Sequence, residues 1–305
     1  MTKTGRMEWD MRKNRGKTIG IFAAASFLAA AFAPAVIAGD VQPLEEAEII
    51  VFAAKSLNTV MDESLIPAYQ ERHPNVTITP SYDSSGTLMT QIEEGAACDV
   101  FFSAAQKQMN ELEEKGLVVE GTRNDIVNNQ VCVVTYDGSK TSVTGLENLA
   151  DASSLALADG SVPVGKYTRE ALVAAGMMEA PEDGDVSAIT TQEISDALGG
   201  LEINECANVG AVAAAVVEGA NEVGTVYYSD TYGFEDQLVI LEKIPYDLTG
   251  DVLYPAAQIV NQEADEAQSA AAADFAAFLA SDETKEIFDS YYFDTNIGAK
   301  AQTEA

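Results

Sequence analysis

Two hydrophobic rhythms alternate along the chain, and their first full cycle sets the pattern. Glu48-Ile49-Ile50-Val51-Phe52-Ala53-Ala54 is a near-continuous apolar run, as in a parallel strand buried on both faces. Lys55-Ser56 ends it. Leu57, Val60, Met61, Leu65 and Tyr69 then recur at helical spacing, with Ser56 as the expected N-cap. The unit is then repeated. Val76 and Ile78 alternate with Thr77 and Thr79 as a strand, and Ser81-Tyr82-Asp83-Ser84-Ser85-Gly86 supplies turn and capping chemistry. Leu88, Met89, Ile92 and Ala96-Ala97 give a short helix its apolar side, and Asp99-Val100-Phe101-Phe102 opens the next strand. Each serine-bearing turn offers hydroxyls and unpaired backbone N–H groups at the positive end of a helix dipole, which in physical terms is an anion site. Two such turns at the carboxyl ends of neighbouring parallel strands can converge on one ligand.

The alternation continues to the C-terminus. Gln106–Gly116 reads as a charged surface helix and Asp125–Asn129 as polar punctuation. Gln130–Tyr136 and Leu155–Gly160 read as strands. Ser161–Gly165 follows as a tight turn, then a helix from Lys166 to Gly176. Residues 177–204 are acidic and mixed, with a helix expected within Thr190–Leu201. Val209–Glu218 is an Ala/Val helix, and Glu222–Tyr228, Leu238–Leu241 and Val252–Val260 are strands. Ala267–Leu279 and Ser281–Tyr291 close the chain as helices. Strands alternating with helices, with two crossings, predict an α/β fold of two lobes around a ligand cleft. The expected boundaries are 39–127 plus 252–305 for lobe 1 and 128–251 for lobe 2.

Residues 11–38 have a basic start, an apolar middle and a small-residue end, so residues 1–38 read as a signal peptide cleaved before Gly39. The mature protein is expected in the periplasm. Residues 1–38 hold six basic and two acidic side chains, leaving 11 basic against 47 acidic in the remainder. Such a surface repels nucleic acid and anionic lipid. Cys98, Cys132 and Cys206 lack zinc-ligand or CxxC spacing, and their odd number allows one disulfide at most. The single histidine, His73, sits beside Pro74 at a helix end. No GxSxG elbow, HExxH, P-loop or Rossmann glycine pattern occurs, so no catalytic residue and no cofactor is expected.

Five stretches together carry a family likeness: VFAAKSL at 51–57, SSGTL at 84–88, QIEEGAACDVFFSA at 91–104, VPVGKYTREAL at 162–172 and VGTVYYSD at 223–230. The chain resembles the molybdate-binding periplasmic proteins (ModA-like), which serve ABC importers. The resemblance implies a type II-like periplasmic-binding-protein fold, monomeric, whose lobes close on one molybdate or tungstate without metal or cofactor. Molybdenum would enter only as its oxyanion. The implied ligand residues are Ser56 and Ser85 through hydroxyl and N–H, Val164 and Val209 through N–H, and Tyr227 through its phenol. Tyr228 beside it is the alternative for the tyrosine facing the cleft. The implied partner is a permease with its ATPase subunit. A phosphate or sulfate receptor and a non-transport oxyanion sensor are the competing readings. Asp83 is expected to face solvent, and the chain's extra length relative to the family is expected within 178–201.

Overall fold

Two five-stranded sheets organise residues 44–297, the part of the chain that the computed structural model describes. The segment read as a signal peptide lies outside the described residues. The strands are β1 (Ala47–Ala54), β2 (Val76–Asp83), β3 (Val100–Phe102), β4 (Asn124–Asn129), β5 (Val131–Tyr136), β6 (Ser154–Ala158), β7 (Glu202–Cys206), β8 (Val223–Tyr227), β9 (Leu238–Lys243) and β10 (Val252–Gln258). The first sheet runs β2-β1-β3-β10-β4 and the second β7-β6-β8-β5-β9. Each has three parallel strands at one side and antiparallel pairing at the other. The apolar runs earn these places. Ile49, Val51, Val100 and Phe102 are buried in the first sheet, and Leu155, Leu157, Val223 and Val226 in the second.

The chain passes between sheets at Gln130 and returns between Lys243 and Val252. The two passages are tied together. Ile244 N–H donates to the Val131 carbonyl (2.8 Å) and Gln130 Nε2 to the Ile244 carbonyl (2.9 Å). Asn128 Oδ1 accepts from the N–H groups of Asn129 (2.9 Å) and Val252 (2.8 Å). The polar run 125–129 is therefore a strand, not the expected punctuation, because its asparagines serve the crossing. A second departure is β7, which the acidic stretch concealed. It is an edge strand with only Cys206 fully buried, so it lacks an apolar signature. No disulfide forms: Cys98, Cys132 and Cys206 are all free and buried.

The helix after β6 begins earlier than expected, at Pro163. Proline suits the first helical position because its missing N–H would be unpaired there anyway. Gly165 is required in that turn: a Cβ would lie 2.2 Å from the Asp159 carbonyl oxygen and 2.4 Å from that of Ala158. Arg169 fastens the same turn from inside. Only 1% exposed, it donates from Nη1 to the carbonyls of Ala158 and Gly165 (both 2.9 Å) and from Nε to that of Ile189 (2.8 Å). One guanidinium thus binds a strand end, a helix start and the 178–201 segment. Replacing Arg169 by Met leaves three carbonyls without their donor and should lower unfolding free energy by about 3 kcal/mol, read by urea denaturation. An unchanged midpoint would show that these bonds contribute nothing.

Candidate ligand-binding cavity

The cavity at the carboxyl ends of β1 and β8 gathers residues from six separate stretches. Ser56, Ser85, Val164, Val209 and Tyr227 all line it. Its empty space is about 210 Å³, of which only about 10 Å³ admits the centre of a water-sized sphere, room for about one water. The lining contains no carboxylate and one cation, Lys55. By contrast, a wider hollow near 178–197, with about 1410 Å³ of empty space, is lined by Glu179, Glu182, Asp183 and Glu193, a poor setting for an anion. Among the described residues no group of three or more His, Cys, Asp or Glu could hold a metal ion.

Each cavity residue is set by its local element. Ser84, not Ser85, caps the helix Ser85–Glu93, accepting from Thr87 N–H at 3.1 Å. That leaves Ser85 in the first turn, fully buried, where its Oγ accepts the Ala104 N–H at 2.9 Å. The Ser85 hydrogen is then free for the cavity. Val164 lies in the first turn of the helix Pro163–Ala174, and Val209 opens the helix Val209–Val217, capped by Asn208. First-turn N–H groups have no partner within a helix. Gly86 stands where β-carbon would meet the Ser161 carbonyl at 2.9 Å, so the helix start at 85 and the 159–163 turn approach to backbone contact.

Ser56 departs from its expected role. It lies in a short 3-10 turn, Lys55–Leu57, whose N-cap is Ala54 with no side-chain bond. Its hydroxyl instead meets Tyr254 Oη at 2.9 Å. Tyr254 also takes a bond from Asn129 Nδ2 (3.1 Å), which bonds Ser229 Oγ as well (2.8 Å). Asp83 also departs from expectation. It is half-buried and turned across to the second sheet's side, accepting from Ser84 N–H (2.7 Å) and Asn208 Nδ2 (3.3 Å). Its carboxylate is satisfied by these donors and does not itself line the cavity.

Of the two tyrosines, Tyr227 faces the cavity. It is 1% exposed, and its hydroxyl has no hydrogen-bond partner among the described residues. Burial, then nearby Tyr254, Tyr167 and Asp230, holds its pKa well above the ordinary tyrosine value, so it is a donor. The Tyr254 ring lies edge-on to it with centroids 5.7 Å apart, but the two hydroxyls do not meet in hydrogen-bonding geometry. Tyr228 turns away, stacking on Tyr292 at 4.7 Å with Lys243 Nζ 3.0 Å above its ring. Three residues escaped the sequence reading. Lys55 reads locally as a strand end, although it directly precedes Ser56. Tyr254 and Asn129 gave no local signal, because their partners are far away in sequence.

A family profile for bacterial extracellular solute-binding proteins matches residues 49–294. The molybdate-binding protein ModA of Escherichia coli K12 is 30% identical over 256 residues, 82% of this chain and 90% of that protein. Among solved structures, the periplasmic molybdate-binding protein of Azotobacter vinelandii superposes with a TM-score of 0.65 at 18% identity, over 80% of this chain and 98% of that one. The sulfate-binding protein SubI of Mycobacterium tuberculosis gives the same TM-score at 16% identity, over 84% and 89%. These structures share the two-lobed type II architecture.

Behind the cavity, Asp230 accepts the Tyr227 N–H at 2.9 Å. Burial pushes its pKa up from 3.8 to about 7, against the opposing pull of that N–H and of Lys55. The folded value lies above the unfolded one, so its stabilising contribution is full below about pH 4 and is lost as pH rises through 7. Asp230→Asn keeps an acceptor for Tyr227 N–H without the ionisation. Its stability relative to the parent should therefore rise between about pH 5 and about pH 8, as read by urea midpoints at each pH. A constant difference across that range would place the titration elsewhere.

Proposed function

The chain belongs to the family of bacterial extracellular solute-binding proteins, and we propose that this ModA-like member captures molybdate, with tungstate as an equivalent guest, and delivers it to the permease and ATPase of an ABC importer. It is a periplasmic transport receptor and not an enzyme. The observation that carries the molybdate reading is the convergence of Ser56, Ser85, Val164, Val209 and Tyr227 on one cavity without a carboxylate. Molybdate at neutral pH has four acceptor oxygens and no proton, so it requires donors alone. Hydroxyls and helix-start N–H groups supply them. Hydrogen bonds to charge are worth about 1.5–3 kcal/mol each, so about five to seven of them, less ordering costs, give on the order of −8 to −12 kcal/mol.

The cavity is too tight for a ligand to enter as it stands, so the lobes open for entry and close on the anion. We take lobe 1 to be 39–127 with 252–305 and lobe 2 to be 128–251, since donors then come from both. Sulfate is the second reading, favoured by the likeness to SubI and by the same absence of acceptors. It is smaller, so it leaves donors unpaired that molybdate would reach.

Calorimetric titration with molybdate, tungstate, sulfate and phosphate tests this. Tight one-to-one binding of the first two and little heat from the others is expected; preferential sulfate binding would replace the assignment, and silence from all four would remove it. Tyr227→Phe sharpens the test because its two effects have opposite sign. Removing an unpaired buried hydroxyl should leave the free protein as stable or up to about 1 kcal/mol more stable, while molybdate affinity falls by about 1.5–3 kcal/mol. Unchanged affinity in that variant would exclude Tyr227 from the ligand set.

A further inference from the structure

The hydrogen bonds behind Ser56 run in one direction only. Asn129 Oδ1 accepts the Gln130 N–H at 2.9 Å, which fixes the amide's orientation. Both Nδ2 hydrogens are then committed, to Ser229 Oγ at 2.8 Å and Tyr254 Oη at 3.1 Å. Tyr254 therefore accepts from Asn129, and its own hydrogen must go elsewhere. Its remaining hydrogen-bond partner is Ser56 Oγ at 2.9 Å. Tyr254 is fully buried, so leaving that hydrogen unpaired would cost its whole desolvation. The chain of donation is Asn129 to Tyr254 to Ser56. Ser56 thus receives a hydrogen at its back, and among the described residues its own hydrogen has no acceptor, which leaves it for a ligand.

We infer that Tyr254 is a specificity-determining residue that makes Ser56 a donor toward the cavity and so excludes oxyanions carrying a proton. This rests on the oxyanion reading given above. Hydrogen phosphate must give its P–OH hydrogen to an acceptor. With Tyr254 donating, Ser56 can expose a lone pair to that hydrogen only by stranding its own. Ser85 is constrained in the same way by the Ala104 N–H. Without the Tyr254 hydroxyl, Ser56 could rotate and accept.

Tyr254→Phe keeps the ring between Tyr227 and Phe293, and Asn129 keeps Ser229. The readout is the ratio of phosphate to molybdate association constants, by calorimetry at several pH values. The variant should raise that ratio about tenfold, the worth of one hydrogen bond, and more as pH falls and more phosphate is protonated. In a Ser56→Ala background the same change should leave the ratio unaltered. Asn129→Asp gives a second route. Its carboxylate would take the Tyr254 hydrogen, reverse the chain and raise the same ratio, compared at a pH where both anions are dianions so that its own charge acts alike on both.

Equal weakening of both anions by Tyr254→Phe would show a merely structural residue and overturn the inference. So would a ratio change that persists without the Ser56 hydroxyl. Failure of the unmutated protein to bind any tetrahedral oxyanion would instead overturn the functional reading, and this inference with it.

Discussion

An anion with no proton can be held in a dry cavity only if every surrounding polar group points a hydrogen at it. That constraint reaches well beyond the cavity wall, because a hydroxyl has no fixed polarity until something behind it takes a lone pair. Here each serine has such a backing. The Ala104 N–H occupies Ser85 Oγ, and the Tyr254 phenol, itself backed by Asn129, occupies Ser56 Oγ. The helix starts at Ser85, Pro163 and Val209 need no backing, since their first-turn N–H groups are donors by construction. The surrounding acids are diverted. Asp83 is satisfied by Ser84 and Asn208, and Asp230 by the Tyr227 N–H. A chain with formal charge −32 can therefore present a site without negative charge at contact distance, while its distant charge is screened over about 8–10 Å in physiological salt.

The contacts that hold the two sides together around the cavity are individually small. Asp83 to Asn208 is a single bond at 3.3 Å, and Lys107 reaches Asp185 at 3.5 Å and Ser187 Oγ at 3.3 Å from exposed positions. Exposed pairs of this kind contribute about 0–1 kcal/mol each. They tie the two sides without fixing them, and a ligand bonded from both sides would shift such a balance by its own differential affinity. The 178–201 segment belongs to this balance. It supplies Asp185 and Ser187, and Arg169 anchors it at Ile189.

The architecture was legible in the sequence wherever burial wrote itself into composition. The runs at 48–54, 155–158 and 223–227 are strands because both faces are covered, and that leaves an unbroken apolar signal. The motif residues were legible as a set, and the fold brings all five to one cavity. What stayed hidden depends on partners distant in sequence. Asn128 and Asn129 looked like a loop because their side chains bond residues 100 or more positions away, including Val252, Ser229 and Tyr254. Ser56 looked like a cap because its true partner lies 198 residues downstream. Asp83 looked solvent-facing because Asn208 cannot be seen from a local window.

The pair Tyr227-Tyr228 shows how one backbone position can serve two ends at once. At a strand end, consecutive side chains leave on opposite faces. Tyr227 goes to the cavity, and Tyr228 goes to the far side, against Tyr292 and beneath Lys243. Tyr292 has a left-handed backbone with φ of 67°, unusual for an aromatic residue and costing on the order of 1–2 kcal/mol. Its stack on Tyr228 and its bond to Glu235 at 2.9 Å offset that cost. Tyr228 follows β8 of the second sheet, whereas Tyr292 follows the helix Asp282–Ser290, which packs against the helix Glu266–Leu279 of the first. A rotation of one sheet against the other must therefore slide this stack while it moves Tyr227 toward or away from Ser56. The cavity's unpartnered tyrosine and the stack that ties the two sides share a peptide bond, so neither can shift alone.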